Sequence, residues 1–224
     1  MTDPAHRGLV CAHRGASLTL KDNSIEAFTA AIAAGCDVLE TDVRMGRHGR
    51  LVLAHDLADL DDPDVVELAA LLELAAGRVG LDLEIMESGL GRPLLDAVDG
   101  FDQWLIVTSE FPQVLVELRR LSKGIDTGLV AVAPFDGDPL AAAAGCGASV
   151  TLVEDELATP ELLRRAGEAQ LPFWVWTVND AERLARLFAQ SAVTGVITDD
   201  PALAVAVRAS SSPTDHVFRS RGRG

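Results

Sequence analysis

Six side chains able to bind a cation, hold an anion or move protons fall on four short stretches of this chain, each at or beside an apolar run. Cys11-Ala12-His13-Arg14-Gly15 closes the first run, and Leu53-Ala54-His55-Asp56 closes the third. Between them, Val-Leu-Glu-Thr-Asp-Val carries Glu40 and Asp42 on the face of Val38, with Leu39, Thr41 and Val43 on the other. Two carboxylates on one face of an otherwise apolar strand are costly unless something pairs them. A hard divalent cation does so, as would an internal salt bridge or an exposed strand end. The cation reading is preferred because the surrounding candidates include no soft ligand. A further run, Gly-Leu-Asp-Leu-Glu-Ile-Met, sets Glu84 beside Asp82 and Met86 on the face opposite Leu81, Leu83 and Ile85. Glu40, Asp42 and Glu84 form an oxygen-only set that suits Mg²⁺ or Ca²⁺ over Zn²⁺. His13 and His55 are the general acid and base candidates, and Arg14 the phosphate ligand. Asp82, one pleat deeper, either orients Arg14 or a ligand or sits in a buried ion pair. Trp176, near the end of Phe-Trp-Val-Trp-Thr-Val-Asn, is a candidate apolar wall for substrate, with a core or rim role as the alternative. The tetrapeptide Ala-His-Arg-Gly also occurs at Ala5–Gly8, but His6 and Arg7 precede the first strand and are assigned to the surface. His48 and His216 receive no role.

Positioning these groups requires a β/α scaffold. Nine strand-like apolar runs alternate with helical patterns along the chain: Leu9–Ala12, Val38–Val43, Leu51–Ala54, Val79–Ile85, Leu105–Thr108, Thr127–Val132, Ser149–Val153, Phe173–Val178 and Gly195–Thr198. Helical segments are expected at Ser24–Ala34, Asp64–Ala76, Arg92–Val98, Pro112–Leu121, Pro139–Ala144, Pro160–Gln170, Ala181–Gln190 and Pro201–Arg208, several opened by a cap or a first-turn proline. Only Met45–Arg50 joins the second run to the third, too short for a parallel crossover and right for an antiparallel hairpin. Counting Leu51–Ala54 as the hairpin return leaves eight strands, each followed by a helix: a compact (β/α)₈ (TIM) barrel. A doubly wound sheet would call for a Gly-rich phosphate loop after its first strand, and Ala-His-Arg-Gly-Ala-Ser is not one. Barrel sites form at the C-terminal strand ends, where the candidates stand.

The 224 residues suit one domain, expected over 1–208, followed by a flexible Ser/Gly/Arg-rich tail over 209–224. Apolar residues make up 48%, enough for a large core, and the formal net charge is −15. So acidic a chain is a poor default partner for nucleic acid or anionic lipid, and an anionic substrate would need local cations to overcome the field. Three cysteines without a C-x-x-C pair argue against a disulfide framework or cysteine zinc site. With no apolar run of membrane-spanning length and no leader-like N-terminus, a cytoplasmic protein without stable membrane insertion is expected, its partner a small molecule.

The ordered motifs A-H-R-G-A-S, D-N-S-I-E-A-F, E-T-D-V, L-V-L-A-H-D, L-D-L-E-I, V-W-T-V-N-D and G-V-I-T-D-D-P resemble those of the glycerophosphodiester phosphodiesterases, from about Leu9 to Ala206. The resemblance implies a distorted TIM barrel that hydrolyses glycerophosphodiesters to sn-glycerol 3-phosphate and an alcohol with a divalent cation, Mg²⁺ or Ca²⁺. It implies metal ligands at Glu40, Asp42 and Glu84, catalytic histidines at His13 and His55, and a phosphate-binding arginine at Arg14. Attack by the glycerol 2-hydroxyl, giving a cyclic phosphate that water opens, is implied too, with direct water attack as the alternative. Asn23 matches a family asparagine and is read mainly as leading into the first helix. Two departures stand out. The family's E-x-K lysine is Met86 here, so phosphate binding should lean on metal and Arg14. The family's small inserted subdomain is missing, since only residues 56–83 lie between His55 and Glu84, which implies a more open mouth. Alternatives are a phosphodiesterase acting on lysophospholipids or other phosphodiesters, and a catalytically weak barrel that binds phosphate esters.

Overall fold

The computed structural model describes residues 8–211, so His6, Arg7 and most of the expected tail, His216 included, lie outside the described residues. Nine strands are present in them: β1 (Leu9–His13), β2 (Val38–Met45), β3 (Leu51–Leu53), β4 (Gly80–Ile85), β5 (Leu105–Ser109), β6 (Asp126–Ala131), β7 (Val150–Glu154), β8 (Phe173–Trp176) and β9 (Val193–Thr198). Eight are parallel and close a ring in the order β1-β9-β8-β7-β6-β5-β4-β2, with β1 pairing both β9 and β2. β3 is the antiparallel return, paired to β2 through Val43↔Leu53, Arg44↔Val52 and Met45↔Leu51. The fold is the expected TIM barrel with a hairpin after its second strand.

Helices α1 (Ile25–Ala34), α2 (Leu68–Ala75), α3 (Gly91–Ala97), α4 (Pro112–Leu121), α5 (Pro139–Cys146), α6 (Pro160–Ala169), α7 (Ala181–Phe188) and α8 (Pro201–Ser211) sheathe the ring. Ser24, Thr159 and Asp180 cap their helices by accepting from the amides of Ala27, Leu162 and Arg183, which satisfies donors that the first turn leaves free. α2 starts at Leu68 rather than Asp64 because the preceding residues pair with the hairpin instead of coiling. Leu53 N donates to Val66 O at 2.8 Å, and Glu67 bridges to Val52. α8 runs to Ser211, past the expected boundary at residue 208. No helix among the described residues is long and apolar enough to cross a membrane.

Strand alternation divides the core. Leu39, Leu81 and Leu83 point outward and pack with Phe28, Leu71 and Leu115 of the helices, all without solvent exposure. Truncating any of these leucines to alanine costs about 2–5 kcal/mol. Cys11, Val38, Ile106, Leu152, Trp174 and Ile197 fill the inside of the ring. Gly195 makes room for the Trp174 indole, since a Cβ there would lie 2.7 Å from the ring. The cysteines are free; Cys11 and Cys146 are buried and Cys36 is half-buried. The lower interior is therefore a plug, and the inward positions nearest the C-terminal mouth, Glu40, Asp42, Asp82 and Glu84, are left to carry chemistry.

Candidate active site

The parallel register of β2 and β4 makes the acidic cluster. Glu40 stands opposite Asp82 and Asp42 opposite Glu84, so alternation on two neighbouring strands directs four carboxylates to one side. One oxygen each from Glu40, Asp42 and Glu84 lie within 4.8 Å of one another. Glu40 and Asp42 are buried and Glu84 half-buried. Burial, then the charges of Asp42 and its neighbours, push Glu40 and Glu84 well above the usual carboxylate range. Burial also raises Asp82 to about 7, against the hydrogen bond from Thr108 and with Asp42 adding to the rise. Thr108 Oγ1 donates to Asp82 Oδ1 at 2.7 Å, so Asp82 is held by Thr108 rather than oriented toward Arg14. Its Oδ2 is buried without a hydrogen-bond partner. Converging hard oxygens, ionised only at a cost, with one lone acceptor beneath them, fit a divalent cation.

A tight turn after β1 frames this cluster. Arg14 and Gly15 take left-handed backbone at φ 56 and φ 89. The second position requires glycine, because a Cβ there would lie 2.7 Å from Ala27 C and 2.9 Å from Phe28 N. The turn aims Arg14 N at both Glu40 O (3.1 Å) and Glu40 Oε2 (3.0 Å). Arg14 Nε pairs with Asp42 Oδ2 at 2.9 Å, off the hydrogen-bond axis. Asn23, also left-handed at φ 53, does more than lead into α1. Its Nδ2 donates to Asp42 Oδ2 at 3.2 Å, and its Oδ1 accepts from Thr41 Oγ1 at 2.6 Å. The Asp42 carboxylate is thus fixed from two directions.

The histidines stand on either side of the acidic pair. His13 Nδ1 lies 2.7 Å from Asp199 Oδ1, just beyond β9. Asn179 Nδ2 (2.6 Å) and Ser17 Oγ (3.0 Å) donate to the same carboxylate, and Thr198 Oγ1 donates to Asn179 Oδ1. Burial opposes ionisation of Asp199, but the hydrogen bonds from His13 and Asn179 outweigh it and hold the carboxyl at about 2. An ionised carboxylate only accepts, so Nδ1 carries a proton and Nε2 is left for exchange. His55 is brought in by the hairpin: Ala54 N donates to Asp42 O at 3.0 Å, and Arg44 donates to the His55 carbonyl through Nε (2.8 Å) and Nη2 (2.6 Å). Its Nδ1 lies 3.2 Å from Asp56 Oδ1.

A cleft at the barrel mouth is lined by His13, Arg14, Glu40, Asp42, His55, Glu84 and Trp176, so every expected site residue meets in one space. Met86 lines it as well, where the resemblance led one to look for a lysine. Asp199 and Arg44 carry no role in the sequence reading. The rule that barrel sites use residues just past strand ends points to the Asp199-Asp200 pair, but it does not say which turns inward. Asp200 Oδ1 instead accepts from Leu203 N at the start of α8.

The profile of the glycerophosphoryl diester phosphodiesterase family matches residues 13–74 and 82–203. A glycerophosphodiester phosphodiesterase of Caldanaerobacter subterraneus subsp. tengcongensis is 24% identical over 86% of this chain and 94% of its own length. The crystal structure of a glycerophosphodiester phosphodiesterase from Thermotoga maritima superposes with TM-score 0.76 at 25% identity, covering 90% of this chain and 99% of that one. An Oleispira antarctica phosphodiesterase, solved in complex with the product sn-glycerol-3-phosphate, superposes with TM-score 0.80 at 19% identity, over 90% and 96% of the two chains. With most of the barrel covered by the family's profile, motif and fold agree: the chain belongs to the glycerophosphoryl diester phosphodiesterase family.

Proposed function

We propose that this barrel hydrolyses glycerophosphodiesters to sn-glycerol 3-phosphate and an alcohol, with Glu40, Asp42 and Glu84 holding Mg²⁺ or Ca²⁺ and His13 and His55 moving the protons. The observation that carries this reading is the meeting of both imidazoles with the three carboxylates in one cleft. The product complex of the Oleispira barrel supports the substrate class.

A cation bound by the three carboxylates would draw charge from the nonbridging phosphate oxygens. Arg14, anchored on Asp42, adds a fixed positive charge on the same cleft wall. His13 exchanges its proton through Nε2, since Asp199 holds Nδ1. Asp199 also stabilises the imidazolium that forms when His13 takes a proton. His55, with its side chain 40% exposed and its backbone pinned by Arg44, lines the same cleft and is the second proton carrier of this reading. One imidazole deprotonates the nucleophile and the other protonates the leaving oxygen. The roles exchange if a cyclic phosphate forms and is reopened. Trp176 closes the apolar side of the cleft.

The test is release of sn-glycerol 3-phosphate from glycerophosphocholine, glycerophosphoethanolamine and glycerophosphoglycerol in Mg²⁺, Ca²⁺ and EDTA. Product with a cation and none in EDTA is expected. No product under any metal condition, or equal turnover in EDTA, overturns the reading.

A further inference from the structure

Glu110 is a carboxylate in the substrate cleft that the mechanism does not use. It follows β5 immediately, is exposed, and lines the same space as His13, Arg14 and Trp176. Among the described residues it has neither a hydrogen bond nor a salt-bridge partner, unlike Asp42, Asp82 and Asp199, which are each bonded. It is near enough to Glu84 to raise that group's pKa, so its charge reaches the reaction centre.

For a substrate with a single negative phosphodiester, this is an unfavourable arrangement. The three metal-site carboxylates exceed the charge of one divalent cation by one, and Arg14 offsets that excess. Glu110 then adds a further negative charge to the cleft, and Met86 supplies no counter-charge on the neighbouring strand end. The chain's overall −15 adds to the repulsion. The conflict disappears if the substrate brings its own cation. A zwitterionic diester with an ammonium on its alcohol would place that charge against Glu110 while the phosphate faces the metal side. Val130, Leu152 and the Trp176 ring line the same cleft, apolar and aromatic surface that suits a methylated ammonium better than a polyol.

We propose that Glu110 forms a head-group subsite for a quaternary or primary ammonium, which makes the chain selective for zwitterionic glycerophosphodiesters over those with neutral alcohols. This rests on the hydrolase reading above. Glu110 touches the part of the substrate that leaves and takes no part in proton transfer.

The experiment compares kcat/KM for glycerophosphocholine and glycerophosphoglycerol, in Mg²⁺, for the wild-type chain and Glu110→Gln. The wild type is expected to favour the choline diester by about tenfold, mainly through KM. Glu110→Gln should move the two substrates in opposite directions, lowering kcat/KM for glycerophosphocholine several-fold and raising it for glycerophosphoglycerol about twofold. Opposite signs separate a charge-reading subsite from damage to the metal site, which would lower both. Equal wild-type preference, or a parallel change in both substrates, overturns the subsite and leaves the hydrolase reading standing. Failure to hydrolyse either diester overturns both.

Discussion

His13 Nδ1 and Asp199 Oδ1 stand 2.7 Å apart although 186 positions separate them in the chain, because β1 and β9 are adjacent staves of a closed ring. This pair resembles the base–orienter arrangement of other acid–base enzymes: the carboxylate fixes the tautomer and leaves the far ring nitrogen free to exchange a proton.

Asp199→Asn should therefore lower kcat on the order of 10²-fold or more while changing KM much less, because the amide no longer stabilises an imidazolium. Steady-state kinetics on glycerophosphocholine checks this. A variant with wild-type kcat would remove Asp199 from the mechanism.

His13→Ala and His55→Ala should each lose about 10²–10⁴-fold in kcat with circular dichroism unchanged, since neither ring is part of the packed core. Near-normal turnover by either variant would exclude that ring from proton transfer.

The acidic cluster ties stability to pH and to cation. Glu40 and Glu84 titrate well above the ordinary carboxylate range, and Asp82 at about 7. A carboxyl whose folded pKa is raised binds protons more readily in the folded chain, so its contribution is whole below about pH 4 and lost as pH rises through the folded value. For Asp82 that window runs up to about 7. In EDTA, thermal stability should fall as pH rises across this range. Added Mg²⁺ or Ca²⁺ should raise Tm more at about pH 8 than at about pH 5.5, because at low pH the ion must displace protons. Equal increments at both pH values would count against a carboxylate cation site.

Met86→Lys would put a positive charge on the cleft wall. It should lower KM for glycerophosphoglycerol about three- to tenfold at low salt, with the gain shrinking as salt is raised. An unchanged KM at low salt would show that position 86 does not face the diester.

Gly15→Ala should destabilise the fold by about 2 kcal/mol or more, because the methyl meets backbone at 2.7 Å in a left-handed conformation. Denaturant unfolding measures it. A shift within error would mean that the turn after β1 relaxes freely.

Much of this molecule could be read from residue order alone. The eight parallel strands and the hairpin follow from run length and from the short Met45–Arg50 link, since no parallel crossover fits there. The convergence of Glu40, Asp42 and Glu84 follows from period-two alternation on neighbouring strands. Asp199 and Asn23 escaped because their roles depend on local backbone at the ends of elements. Alternation stops at Thr198, so it could not choose between Asp199 and Asp200. A positive φ folds Asn23 back onto Asp42, which no spacing rule reports. Glu110 carried no signal either, since it stands in a loop where neither period applies.

The double pairing of β1 makes the cleft depend on the integrity of the whole ring. The stave that flanks β1 on one side, residues 193–198, carries Asp199 just past its end, so unzipping that single seam would at once open the barrel wall and take the carboxylate away from the His13 imidazole.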